Sequence, residues 1–315
     1  MNIYVTDLIL RSPQLKETLM RSMLFVPGDS ARKQEKSLQS RADALILDLE
    51  DSVAPPAKPT ARTMTLAFLQ QHRSAARRPL LYVRVNSLDT GLTDLDLDAV
   101  MPGRPDGILI PKAVGGRDMA DISARLSHHE KRNGIAEGRT RLIPVATENA
   151  AAVLALPSIP GSTERMSGLT WGGEDLAADI GAEANHDESG AYTSTYVMAR
   201  SMALLTAVAA GTDPIETAYT NYGDVDGFRA DCLRARRDGF TGRIAIHPNQ
   251  VDIINEVFTP SEQAVQWATK IIETFAANPG MGVIGIDGEM IDIPHLRQSE
   301  RIIARHKAIL ALTQR

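Results

Sequence analysis

Eight short apolar runs recur along this chain at regular intervals, each followed by a stretch with helical spacing. They occupy residues 23–26, 44–49, 80–85, 107–111, 142–146, 168–171 and 243–246, with a weaker run at 214–218. Their continuous apolar character suits strands buried on both faces, as a parallel sheet requires; a strand with one wet face would alternate. Between them, segments such as 117–132 and 196–210 carry Ala, Leu, Arg and Met at helical spacing. Eight strand-helix units over about 250 residues match the size and count of a (β/α)8 TIM barrel, and a doubly wound open sheet is the rival.

The placement of the polar residues favours the barrel. Asp48, Glu50, Asp51, Arg84, Lys112, Glu148, Asp175 and His247 fall at or just past the C-terminal ends of six different runs. Barrel enzymes gather their active sites on that face, from several strands at once. Beyond the eighth run the chain continues through a helical stretch (261–277), a Pro279-Gly280 break, the segment GVIGIDGEMID and a final helix from Pro294. The expected organisation is a barrel over residues 1–260 and a C-terminal helical extension over 261–315. No internal repeat, low-complexity tract or linker marks a further domain.

Of the 315 residues, 43% are hydrophobic, enough for one large core. A formal net charge of -5 argues against a general nucleic-acid binder, which needs clustered basic surface to displace counterions. Cys232 is the only cysteine, so no intrachain disulfide forms and a reducing cytoplasm is the expected location. The first twenty residues carry Asp7 and Glu17 and lack the pattern of a signal peptide. No apolar run approaches the roughly 18 residues that span a bilayer.

The densest acidic cluster is LDLEDSV, with Asp48, Glu50 and Asp51 at a strand end. Carboxylates there cost desolvation energy unless a cation or hydrogen bonds compensate them, the alternative being a solvated loop with a helix N-cap. Glu148 in IPVATENA and Asp175 in WGGEDLAADIG follow two successive runs. Adjacent strands lie about 5 Å apart, so these carboxylates can grip one ion, unless each merely caps its helix. Two carboxylates plus waters suit Mg²⁺, while scattered histidines and the absence of CxxC disfavour zinc. Arg84 in LLYVRVNS meets either an anionic substrate or, in an inter-strand ion pair, Glu50 or Asp51. Lys112 in GILIPKA is a surface lysine or the Schiff-base nucleophile of a metal-free aldolase. Gly280 to Gly285 matches GxGxxG, but it follows a helix-like segment and a proline and does not open a helix, so it is no dinucleotide fingerprint.

Taken in order, RSMLFVPGD, DALILDLEDSV, LYVRVNS, GILIPKA, ATENA, GGEDLAADIG, GRIAIHPNQVDIINEVFTPS and DGEMIDIPH resemble the family that unites the citrate lyase β-subunit, malyl-CoA lyase and citramalyl-CoA lyase, over nearly the whole chain. The resemblance implies a TIM barrel, a homotrimer or dimer of trimers, and Mg²⁺ held by Glu148 and Asp175. It implies substrate contact by Arg84, and Glu50 and Asp51 near the metal's water shell. Asp292 resembles the catalytic acid or base that a tail delivers from the adjacent subunit, while Arg32, Lys36 and the turn at 25–28 fall where the family approaches the CoA moiety. The implied reaction is carbon-carbon cleavage of a 3-hydroxyacyl-CoA, of malyl-CoA or citramalyl-CoA type, to acetyl-CoA and a 2-keto acid. Alternatives are a citrate lyase β-subunit acting in a complex and a thioesterase on the same site. Glu289 departs from the pattern, standing where lysine is common in the tail motif.

Overall fold

The computed structural model describes residues 19–313; the reading of the N-terminal twenty residues lies, up to residue 18, outside the described residues. Two compact units emerge, Met20–Asn255 and the residues from Glu256 onward.

In the first unit, the apolar runs become β1 (Ser22–Pro27), β2 (Ala44–Asp48), β3 (Leu80–Arg84), β4 (Gly107–Ile110), β5 (Arg141–Pro144), β6 (Gly168–Thr170), β7 (Asp213–Glu216) and β8 (Gly242–Ala245). The strand order is β5-β4-β3-β2-β1-β8-β7-β6, and the pairings along it are parallel. Two parallel bridges, Leu142 with Met166 and Val145 with Thr170, join the remaining edges. There the Ala146 N–H donates to the Thr170 carbonyl at 3.0 Å. The sheet therefore closes on itself as a barrel, which rules out the open doubly wound rival.

Helices follow the strands: α1 (Ala31–Ser37), α2 (Lys58–His72), α3 (Thr93–Val100), α4 (Gly115–Arg132), α5 (Ala150–Ala155), α6 (Glu174–Ile180), α7 (Ser194–Ala209), α8 (Val225–Asp238) and α9 (Pro248–Val257). Inside the barrel, Met23, Ile46, Tyr82, Leu109, Ile143 and Ile244 pack together. Their sequence neighbours Leu24, Leu45, Leu47, Leu81, Val83 and Ile108 are equally buried, facing outward because strand side chains alternate. Both faces are dry, which is why the runs read as unbroken apolar stretches. Each large aliphatic side chain so buried contributes about 1.5–3 kcal/mol.

Two boundaries differ from the sequence reading for local reasons. β2 stops at Asp48 because its carboxylate accepts the N–H groups of Glu50 (3.0 Å) and Ser52 (3.1 Å), turning the chain out of the sheet. β7 reads weakly because Pro214 has no N–H to donate and Glu216 is a buried carboxylate, satisfied by the Trp171 indole and by Arg200. Among the described residues no helix is long and apolar enough to cross a membrane.

The second unit holds α10 (Glu262–Ala277), an antiparallel hairpin of β9 (Val283–Ile286) and β10 (Glu289–Asp292), and α11 (Ile293–Thr313). Ser261 caps α10 by accepting the Ala264 N–H at 3.2 Å. Asp287 and Gly288 form the two-residue hairpin turn with φ of 52° and 86°, the left-handed pair that Asp-Gly is suited to supply. Ile271, Phe275, Ile284, Ile286 and Ile291 make this unit's core. The GxGxxG stretch leads into the hairpin rather than a helix, so it lacks the strand-turn-helix setting of a dinucleotide site.

Candidate active site

The register of β2 and β3 sets Asp48 directly opposite Arg84. Arg84 clasps the Asp48 carboxylate in a fork, Nε to Oδ1 and Nη2 to Oδ2, each at 2.7 Å. Its Nη1 lies 2.8 Å from Glu50 Oε2 and 3.7 Å from Asp51 Oδ2, and the guanidinium sits over the Phe25 ring, 4.6 Å from its centroid. The inter-strand ion pair is thus present, with Asp48 as its principal acceptor. Burial alone would raise the Asp48 pKa, but the Arg84 hydrogen bonds and charge outweigh it and hold the carboxyl below its ordinary range. Burial of Glu50 is less well compensated, and its affinity for a proton is raised despite Arg84 and Lys112.

Lys112, just past β4, joins this cluster from the other side. Its Nζ donates to Glu50 Oε1 at 2.6 Å and lies 3.5 Å from Asp175 and 3.6 Å from Asp51. Its backbone adopts φ 53°, a left-handed conformation uncommon for a residue with a side chain. That twist aims the Lys112 N–H at Glu148 Oε2, at 2.5 Å. Although burial works against the charged form, the surrounding carboxylates raise the Lys112 pKa above its ordinary value, so the amine stays protonated and is poorly prepared for Schiff-base attack.

Glu148 follows β5. The cap of α5 is not Glu148 but its neighbour Asn149, whose Oδ1 accepts the Ala152 N–H at 2.8 Å. The Glu148 carboxyl is thereby left to turn into the site, where it is 5% exposed. Burial pushes its pKa to about 8, against the lowering effect of the Lys112 N–H and charge. Gly172, past β6, leaves room for this packing, because a Cβ there would lie 2.8 Å from Glu148 Cγ and push the side chain aside. Asp175 stands in the first turn of α6, half-exposed, without capping it.

A cavity of about 720 Å³ opens over these groups, lined among others by Lys112, Glu148, Asn149 and Asp175. Among the described residues no three His, Cys, Asp or Glu side chains converge as a ready-made metal cage. The donor set nevertheless fits a hard cation that keeps most of its waters: two carboxylates on one cavity, one of them buried and short of compensation.

The structure therefore brings together Glu50, Asp51, Arg84, Lys112, Glu148 and Asp175. It does not bring in His247, which lies past β8 stacked on Tyr222 with centroids 5.1 Å apart, its Nδ1 paired with Asn249. Arg32 and Lys36 are exposed on α1. Asp292 belongs to the second unit, at the end of β10, where its Oδ1 lies 2.5 Å from His295 Nδ1. Sequence reasoning missed Asp89, Asp118 and Asp179, which also line the cavity. Each lies within three residues of the end of an α-helix or a single 3-10 turn, where an acidic residue carries no distinguishing signal.

Comparison with known proteins gives these residues a context. The family model described as HpcH/HpaI aldolase/citrate lyase matches residues 21–248. The mitochondrial citramalyl-CoA lyase of Mus musculus is 32% identical over 295 residues, covering 90% of this chain and 85% of that protein. A (3S)-malyl-CoA thioesterase of Cereibacter sphaeroides is 32% identical over 293 residues, covering 92% and 96%. The solved CitE protein of Mycobacterium tuberculosis, in complex with magnesium, acetoacetate and coenzyme A, superposes with a TM-score of 0.74 at 26% identity, over 92% of this chain and 99% of that one.

Proposed function

The chain belongs to the HpcH/HpaI aldolase/citrate lyase family, and from that premise we propose that it is a Mg²⁺-dependent carbon-carbon lyase. The substrate is a 3-hydroxyacyl-CoA of malyl-CoA or citramalyl-CoA type, and the products are acetyl-CoA and a 2-keto acid. The observation that carries this reading is Glu148: a buried carboxyl with a raised pKa, sharing a cavity with Asp175. Such a pair is completed by a cation, and the relative solved with CoA also holds magnesium.

Glu148 and Asp175 would hold the ion. When bound, Mg²⁺ supplies Lewis-acid polarisation of the substrate's 3-hydroxyl and carboxylate. The hydroxyl proton passes to the water that Glu50 and Asp51 orient, C3 becomes the carbonyl of the 2-keto acid, and the C2–C3 bond breaks with its electron pair passing to C2 as the acetyl-CoA enolate. Arg84, held in line by the Asp48 fork, offsets the enolate oxygen's charge. Glu50 and Asp51 orient water beside the ion, and Lys112 balances their charge. Asp292, supplied by the tail of a neighbouring copy in a homotrimer or dimer of trimers, returns a proton to C2. Arg32 and Lys36, exposed on α1, meet the phosphates of CoA. The single, buried Cys232 suits a reducing cytoplasm.

A second reading, thioester hydrolysis on the same site, is favoured by the 32% identity to a malyl-CoA thioesterase. One assay separates the two. The purified protein is given malyl-CoA and citramalyl-CoA with Mg²⁺ and then with EDTA, and keto acid, acetyl-CoA and free CoA are followed together. Mg²⁺-dependent release of keto acid and acetyl-CoA is the expected result. Free CoA without keto acid would establish hydrolysis, and activity that survives EDTA would remove the Glu148/Asp175 role and return Lys112 to consideration.

A further inference from the structure

We propose that Thr147 is a positioning residue that fixes the gap between Glu148 and Asp175 in the metal-free protein, an inference that rests on these two carboxylates being the cation's ligands. The barrel closes between β5 and β6, the strands that lead into them. The other neighbouring strands pair in continuous parallel register. Here the strands meet through two isolated bridges, Leu142 with Met166 and Val145 with Thr170. Pro144, which lies between the bridged residues of β5, has no N–H to give to a ladder. The loops that carry Glu148 and Asp175 therefore rise from the seam where backbone pairing is interrupted.

Side-chain chemistry takes over where the ladder stops. Thr147 is fully buried, at a place where valine would have the same shape and would extend the apolar run. Its hydroxyl can both donate and accept, and it does both with a single residue across the seam. Thr147 Oγ1 donates to the Gly172 carbonyl at 3.1 Å and accepts the Gly172 N–H at 3.0 Å. Gly172 in turn lies flush against Glu148, since a Cβ on it would come within 2.8 Å of Glu148 Cγ. A second tie lies further out, where Asp179 Oδ2 accepts the Ala150 N–H at 2.8 Å. Glu148 thus sits between residues 147 and 150 of one segment, and Asp175 between residues 172 and 179 of the other, with the two segments fastened together on both sides of the carboxylates. Like charges sharing a cavity repel, so without the inner tie the segments relax apart and an incoming ion must gather them. A pair already held at its spacing avoids that cost.

The test reads metal binding rather than turnover. Mn²⁺, which takes the same octahedral oxygen ligands as Mg²⁺, is titrated into the metal-free protein and followed through the paramagnetic resonance signal of the free ion. Thr147→Val keeps the shape and removes the hydroxyl. Its dissociation constant for Mn²⁺ should rise roughly tenfold or more, the usual effect of losing a group that orients a metal ligand. Thr147→Ser keeps the hydroxyl and should stay within about threefold of the parent. In the metal-free parent the Gly172 amide should exchange its hydrogen more slowly than the neighbouring loop amides, a reading that does not depend on a variant's folding. Mn²⁺ affinity unmoved in Thr147→Val, an equal loss in Thr147→Ser, or an unprotected Gly172 amide overturns this inference and leaves Glu148 and Asp175 as the ligands. A parent that binds no Mn²⁺, or binds it as tightly after Glu148→Gln, overturns the ligand assignment and this inference with it.

Discussion

Two buried glutamates of the barrel unit, Glu130 and Glu148, sit in opposite electrostatic states. Glu130, at the end of α4, is 0% exposed, and Glu148 is 5% exposed. Glu130 receives both Nη groups of Arg165, at 2.8 and 2.7 Å, and the N–H groups of Thr140 (2.7 Å) and Gly138 (2.9 Å). Burial pushes its pKa up, but these partners outweigh burial and hold it below the ordinary range. Glu148 receives one backbone N–H, from Lys112, and burial carries it to about 8. Where the fold uses a carboxylate as a structural tie, it supplies a full set of donors. Where it leaves one short inside a cavity, the missing partner is to be supplied from outside.

The largest effect that can break this contrast is on activity. Glu148→Gln keeps the shape but removes the charge, and forfeiting the metal's several kcal/mol of transition-state stabilisation lowers kcat roughly 10³-fold. The metal-free variant should melt at or above the temperature of the metal-free parent, since the parent must either hold a proton on Glu148 or bury its charge and the amide does neither. A variant that melts much lower would show Glu148 to be a structural tie after all.

Glu130→Gln should behave in the opposite way. Removing one partner of a buried pair leaves the Arg165 guanidinium uncompensated and costs about 3–5 kcal/mol, a fall in Tm of roughly 10 °C. Activity per folded molecule should remain near that of the parent. Loss of activity without loss of stability would place Glu130 among the working groups and dissolve the contrast.

The pH dependence sharpens it further. Glu148, with a folded pKa of about 8 against an ordinary value near 4.3, favours the folded state while it is protonated. Its contribution is complete below about pH 4.3 and is lost as pH rises towards 8. Glu130 and Asp48 have lowered values, so their contributions are present above the ordinary carboxylate pKa and are lost as pH falls through the folded values. In EDTA, the urea midpoint should therefore drop by roughly one molar between pH 5 and 8.5. The drop should vanish in Glu148→Gln and shrink with saturating Mg²⁺. A flat profile in the metal-free parent would mean that Glu148 is already compensated.

The same contrast explains what could be read from the sequence. The barrel was legible because burial on both faces leaves an unbroken apolar run, and it faded at β7, where Pro214 and the satisfied Glu216 interrupt that pattern. Glu148 and Asp175 were legible because a carboxylate within four residues past an apolar run stands near the C-terminal end of a barrel strand. The tie between Glu130 and Arg165 was not, since its members lie on a helix end and a loop with no shared periodicity. Nor was the left-handed backbone of Lys112, because the residue type that usually marks such a conformation is glycine. His247 shares the strand-end position of the proposed site residues but spends its ring on Tyr222 and Asn249, a distinction set by tertiary neighbours alone.

The smallest expected effect concerns how Glu148 is held. Glu130 is positioned by four donors, whereas Glu148 relies on one N–H and on the space that Gly172 leaves. In Gly172→Ala, the new Cβ would lie 2.8 Å from Glu148 Cγ, so the side chain must shift. A ligand moved off its position by a neighbour typically loses 10- to 100-fold in metal affinity, which titration of activity against Mg²⁺ would register as a higher requirement for the ion. The metal-free melting temperature should stay close to the parent's, because the crowded atoms adjoin an open cavity into which the carboxylate can move. If the Gly172→Ala variant instead kept the parent's Mg²⁺ requirement, Glu148 would be tolerant of its own position. One short hydrogen bond from a strained lysine would then be enough to place it.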